Sequence, residues 1–149
     1  MPFGLWALAV FCGDQISKFL VRHLLRPNES IPVLANVFHL TYIHNPGAAF
    51  GMLAHQTPFF VAISIIVIAV ILVAYRQLKE SPLRFQLALA LQLGGALGNL
   101  VDRLRFGYVV DFLDFRIWPV FNLADVAIVV GVILLGWHLY LRSEKGETR

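Results

Sequence analysis

From Phe59 to Tyr75 the chain carries no charged residue. A bilayer core about 30 Å thick needs roughly 17–25 mostly apolar helical residues to cross it, and this run has that length. Phe85 to Val101 is also free of charge, although it contains Gln86, Gln92 and Asn99. Val120 to Leu141 has a single acid, Asp125, near its start, and Phe3 to Val21 has Asp14 and Lys18 near its end. Hydrophobic residues make up 58% of the 149 and charged residues 14%, against roughly 45–50% and about 25% in soluble domains. A soluble fold of this size has no interior large enough for that apolar surface, whereas lipid solvates it. The reading is an all-α membrane protein in one domain, with transmembrane helices over about 3–21, 59–75, 85–101 and 120–141.

Four spans put both termini on one side and the first and third loops together on the other. Charge does not orient the bundle. Arg76, Lys79, Arg84, Arg142, Lys145 and Arg149 stand on one side, and Lys18, Arg22, Arg26, Arg103, Arg105 and Arg116 on the other. The basic residues come in ones and twos with no stripe, which argues against nucleic acid as a partner. Cys12 is the only cysteine, so no intrachain disulfide forms. The bulky Phe11 before it and the absence of a basic start make 3–21 a permanent helix rather than a leader. In the long loop 22–57, Phe38, Leu40 and Tyr42 alternate with His39 and Thr41, the period of a strand, and Asn45-Pro46-Gly47 marks a turn. A small extramembrane β-sheet in this loop is expected.

Acids and amides near a bilayer are costly, face the protein interior and often mark function. Asp14 and Lys18 are four apart, share a helix face and suit a structural ion pair. Gly94 and Gly98 form a small-xxx-small pair that lets helices pack closely. Asn99, Asp102 and Arg103 fall at i, i+3 and i+4 and share a face, and Asp102 with Arg103 also reads as an ion pair at the helix end. Asp111 lies between bulky apolar residues, where burial disfavours charge. Asn122 is a good N-cap with Asp125 three residues on, as in a capping box. Asp111 and Asp125 flank one loop and lie on one side of the membrane. Two carboxylates sharing a proton activate water for attack on a peptide carbonyl, but spacing alone does not bring them together. No His-Glu-x-x-His helix supplies zinc ligands. A proton or solute path through Asp14, Lys18, Asp102 and Asp125 would need polar residues at mid-membrane depth, and Ile63 to Val73 has only Ser64.

Five stretches in order resemble the lipoprotein signal peptidases (signal peptidase II). They are Asp14 to Lys18, Asn45-Pro46-Gly47-Ala48-Ala49-Phe50-Gly51, Gly94 to Arg103, Val109 to Phe112, and Phe121 to Asp125. The resemblance implies four membrane helices with a small periplasmic sheet, in a bacterial inner membrane with both termini cytoplasmic. It implies an aspartic endopeptidase, acting as a monomer near the periplasmic face, that cleaves prolipoproteins just before a diacylglyceryl-modified cysteine. The catalytic pair would be Asp111 and Asp125. Asn45, Gly47, Asn99, Asp102, Arg103 and Asn122 would shape the site or contact substrate, and Asp14 and Lys18 would be structural. Besides substrate and membrane lipids no partner is implied, and neither a metal nor an organic cofactor. The stretch between Asp111 and Asp125 is a few residues shorter than is common in the family.

Overall fold

The apolar runs fold as helices that stop where the backbone cannot continue. The computed structural model describes residues 2–47, 56–77 and 81–144. Its helices are α1 (Pro2–Leu24), α2 (Thr57–Gln77), α3 (Leu83–Phe106) and α4 (Leu123–Glu144). Pro82 stands just before α3. Gly107 ends it in the left-handed region at φ 79°, and its N–H donates to the Arg103 carbonyl, the closure for which glycine is suited. α3 thus runs past residue 101 and carries Asp102 and Arg103 within its last turns.

Among the described residues, α1 from Phe3, α2, and α4 to Leu141 are long and apolar enough to cross a membrane. α3 is as long but more polar, for a physical reason. Twelve of its residues are buried, whereas only Ile71 of α2 is. α3 is the central helix that the others pack around, so it needs little lipid-compatible surface of its own. Across the bundle the usual order of protein interiors is reversed. Ile65, Ile66 and Val70 of α2, and Val132, Ile133 and Trp137 of α4, are exposed, while Asp14, Lys18, Asn99, Asp102 and Asn122 are buried. Lipid-facing apolar surface around a polar seam is the arrangement a membrane imposes.

Adjacent glycines let α3 fit between its neighbours. A Cβ on Gly94 would stand 2.5 Å from the Ala7 carbonyl oxygen of α1, and one on Gly95 2.5 Å from that of Ala124 in α4. Backbone cannot give way cheaply. Gly95→Ala is therefore expected to cost about 1–3 kcal/mol of overpacking, more than the roughly 1 kcal/mol that alanine gains in helix propensity. The thermal midpoint in detergent should fall. Gly136→Ala, which meets nothing within 4 Å, should leave it unchanged or raise it.

A three-stranded antiparallel sheet, β1 (Ser30–Leu34), β2 (Phe38–Asn45) and β3 (Val109–Asp114), caps one end of the bundle in the order β1-β2-β3. It corrects the expectation of a sheet confined to the first loop, because β3 comes from the segment after α3. Leu40 and Tyr42 pack with Val110 and Phe112 of β3 against Val21 of α1 and Leu25 just beyond it. Successive strand residues point to opposite faces. Burying Val110 and Phe112 in this cluster therefore aims Asp111 the other way.

Candidate active site

Asn45 pairs with Val109 and Ile43 with Asp111 across β2 and β3, so Asn45 and Asp111 are diagonal neighbours on one face. The Asn45 amide donates to Asp111 Oδ2 at 2.8 Å. The Gly47 N–H donates to Asn45 Oδ1 at 3.0 Å, which fixes which end of that amide meets the acid. Ala48 to Gly51, the rest of that stretch, lie outside the described residues.

The segment that follows β3 is a tight return. Leu113 and Phe121 exchange backbone hydrogen bonds of 2.8 and 3.1 Å, and Arg116 takes a left-handed φ of 66° within the turn. Asp114 at the end of β3, absent from the sequence-based candidates, accepts the Thr41 hydroxyl at 2.6 Å and the Arg116 N–H at 2.9 Å. This closure sets Asn122 beside Asp111 in space. The Asn122 amide donates to Asp111 Oδ1 at 2.6 Å and to Asn99 Oδ1 at 3.2 Å. Asn122 also caps α4 reciprocally. The Asp125 N–H donates to Asn122 Oδ1 at 3.0 Å, and Asp125 Oδ2 accepts the Asn122 N–H at 3.3 Å. Asp125 Oδ1 accepts from the Asn99 amide at 2.8 Å. Capping and a place beside Asp111 are therefore compatible for Asp125, since its two oxygens divide the tasks.

Behind Asn99 stands a buried ion cluster. The Lys18 ammonium lies 2.8 Å from Asp14, 3.0 Å from Asp102 and 3.0 Å from Asn99 Oδ1, which uses all three donors. Asp14 accepts the Ala124 N–H at 3.0 Å, and Asp102 accepts that of Val110 at 3.0 Å. α1, α3, β3 and α4 are thereby tied at one point. Gln15, which sequence reasoning passed over, donates to Asp14, Asp102 and the Gly98 carbonyl. Asp102 thus pairs with Lys18 and not with Arg103. Neighbours on a helix diverge by about 100°, so Asp102 points into the cluster. The Arg103 guanidinium lies 5.1 Å from the Phe60 ring centre. No buried side-chain nitrogen or oxygen among the described residues lacks a partner.

Asp111, Asp125, Asn45, Gly47, Asn99 and Arg103 line one cavity of about 300 Å³, walled on the loop side by Trp118, Pro119, Val120 and Phe121. Nothing in the sequence set that apolar wall apart from an ordinary loop. Burial first, and the negative charge of Asp125 second, push the Asp111 carboxyl from an ordinary 3.8 up to about 7, against the pull of the Asn45 and Asn122 amides. A carboxyl raised that far holds its proton in about half of the molecules at pH 7, while a second carboxyl shares its cavity. That combination can hold and polarise a carbonyl and deprotonate water.

Residues 6–141 match the model of the family described as signal peptidase (SPase) II. The chain belongs to the signal peptidase II family. It is 62% identical over 148 residues to the lipoprotein signal peptidase of Moorella thermoacetica, covering 99% of each chain. With that of Pelotomaculum thermopropionicum it shares 54% over 140 residues, covering 94% of this chain and 92% of the relative. A solved bacterial membrane enzyme superimposes with a TM-score of 0.88 at 32% identity, over 97% of this chain and 91% of that one. Family membership makes the chain a peptidase of the lipoprotein-processing class. The cavity and its two acids lie within the matched region.

Proposed function

We propose that this signal peptidase II is an aspartic endopeptidase that removes signal peptides from diacylglyceryl-modified prolipoproteins, cutting just before the lipidated cysteine. The observation that carries the proposal is the shared cavity of Asp111 and Asp125, with the Asp111 carboxyl raised to about 7. One acid takes the proton of the attacking water while the other donates to the carbonyl oxygen. Asn45, Asn99 and Asn122 orient the two carboxyls, and Arg103, on the same cavity, contacts the substrate backbone. The enzyme works as a monomer with four membrane spans in the bacterial inner membrane. α3 is the central span, both termini are cytoplasmic, and the cavity lies near the periplasmic face. The test is cleavage of a lipid-modified prolipoprotein by the purified protein, read as a new N-terminal lipidated cysteine. Wild-type protein that folds and leaves this substrate intact would sink the reading.

The raised acid also sets a pH dependence. A carboxyl whose folded value exceeds its unfolded 3.8 contributes stability that is full below about 4 and lost as pH rises through about 7. Activity follows the same proton, so kcat/KM should fall above about pH 7, as a property of the pair. The Asn45 amide favours the charged form. Asn45→Ala should therefore move the alkaline limb to higher pH in a pH–rate profile. A limb that stays in place or moves down would remove Asn45 from the electrostatics of the pair.

A further inference from the structure

A second cavity, of about 330 Å³, opens between α1 and α3. The buried Lys18 and Asp102 lie along it, and Phe11, Ile16 and Phe19 form an apolar wall. Arg22 and Arg105, from the ends of the two helices, converge on one ring there. Their guanidinium carbons lie 4.0 and 5.1 Å from the centre of Phe106. No carboxylate stands within ion-pair distance of either arginine among the described residues. Phe106 stacks on Tyr108, and Tyr108 on His44, and tyrosine is a residue type enriched at headgroup depth.

We propose that this groove binds one anionic phospholipid, its phosphate between Arg22 and Arg105 and an acyl chain against Phe11, Ile16 and Phe19. Two cations on one ring, with no acid of their own, suit a phosphate oxyanion, and the apolar wall beside them suits the chain that a free phosphate lacks. The uncharged diacylglyceryl group of the proposed substrate offers the cations nothing. The inference rests on α1 and α3 standing in a bilayer, and its readout is independent of peptide cleavage.

The test is native mass spectrometry of the full chain released from nanodiscs of equal parts phosphatidylglycerol and phosphatidylcholine. One phosphatidylglycerol per chain should be retained in preference. Basic residues near a membrane surface each contribute about fivefold, so Arg22→Gln/Arg105→Gln should lower the preference about 30-fold. Arg105→Gln alone, at an exposed position, should lower it about fivefold and covers failure of the double variant to fold. Arg76→Gln, at the other end of the bundle, should leave it unchanged. Equal retention of the two lipids by wild type, or a preference that survives loss of both arginines, overturns the proposal. So does displacement by excess inorganic phosphate, which would make this a site for the free ion.

Discussion

Asp111→Asn and Asp125→Asn are each expected to lower kcat by roughly 10²–10⁴-fold, the usual contribution of a positioned acid or base. The double variant should cost no more than either single one, because two groups that share one proton act as a unit. Both substitutions keep shape and volume, but each replaces an acceptor oxygen by a donor. In Asp111 both oxygens accept amides, from Asn45 and Asn122, so Asn at that position meets at least one facing N–H, at a cost of about 1–3 kcal/mol. Asp125→Asn keeps one oxygen for Asn99 or for the cap, not both. Activity must therefore be compared at matched folded fraction, with circular dichroism and thermal midpoint measured on the same preparations. Folded single variants that cleave at the wild-type rate would end the two-acid mechanism, and losses that multiply in the double variant would mean that the acids act separately.

The division between what was legible in the sequence and what was not follows contact distance. Long apolar runs report directly on helices, since every residue of Phe59 to Tyr75 states the same preference. The alternation of Phe38, Leu40 and Tyr42 reports on a strand in the same local way. β1 was not legible because all five of its residues are exposed, so no side-chain period marks it. β3 was not legible because its partner β2 lies more than sixty residues earlier, and only that pairing makes Val109 to Asp114 a strand. The capping relation of Asn122 to Asp125 spans three residues and was readable. The bond from Asn122 to Asp111 depends on the Leu113–Phe121 closure and was not. Asp102 shows how a local reading misleads. Its sequence neighbour Arg103 offers an opposite charge, yet the helix turns the two apart and a lysine from another helix supplies the partner.

That lysine bears the second large effect. Lys18→Met keeps the length of the side chain and removes the charge. Asp14 and Asp102, each 1% exposed, would then share a buried site with no cation between them. Breaking a buried ion cluster by removing one partner costs about 3–5 kcal/mol, and unfolding in detergent should register that loss as a lower midpoint. If charge is the cause, Asp14→Asn added to Lys18→Met should recover part of it, because Asn keeps an oxygen for the Ala124 N–H and removes one of the two unpaired negative charges. Such a departure from additivity is what direct contact predicts. An unchanged midpoint in Lys18→Met, or a double variant worse than the sum of the singles, would mean that the seam is held by helix packing at Gly94 and Gly95 and not by its ions. The catalytic consequence is separable. Asn99 Oδ1 keeps its bond from Asn122 when Lys18 is gone, so the amide still turns its nitrogen to Asp125. Whatever fraction of Lys18→Met folds should therefore keep most of its kcat, whereas Asn99→Ala, which removes the donor itself, should not.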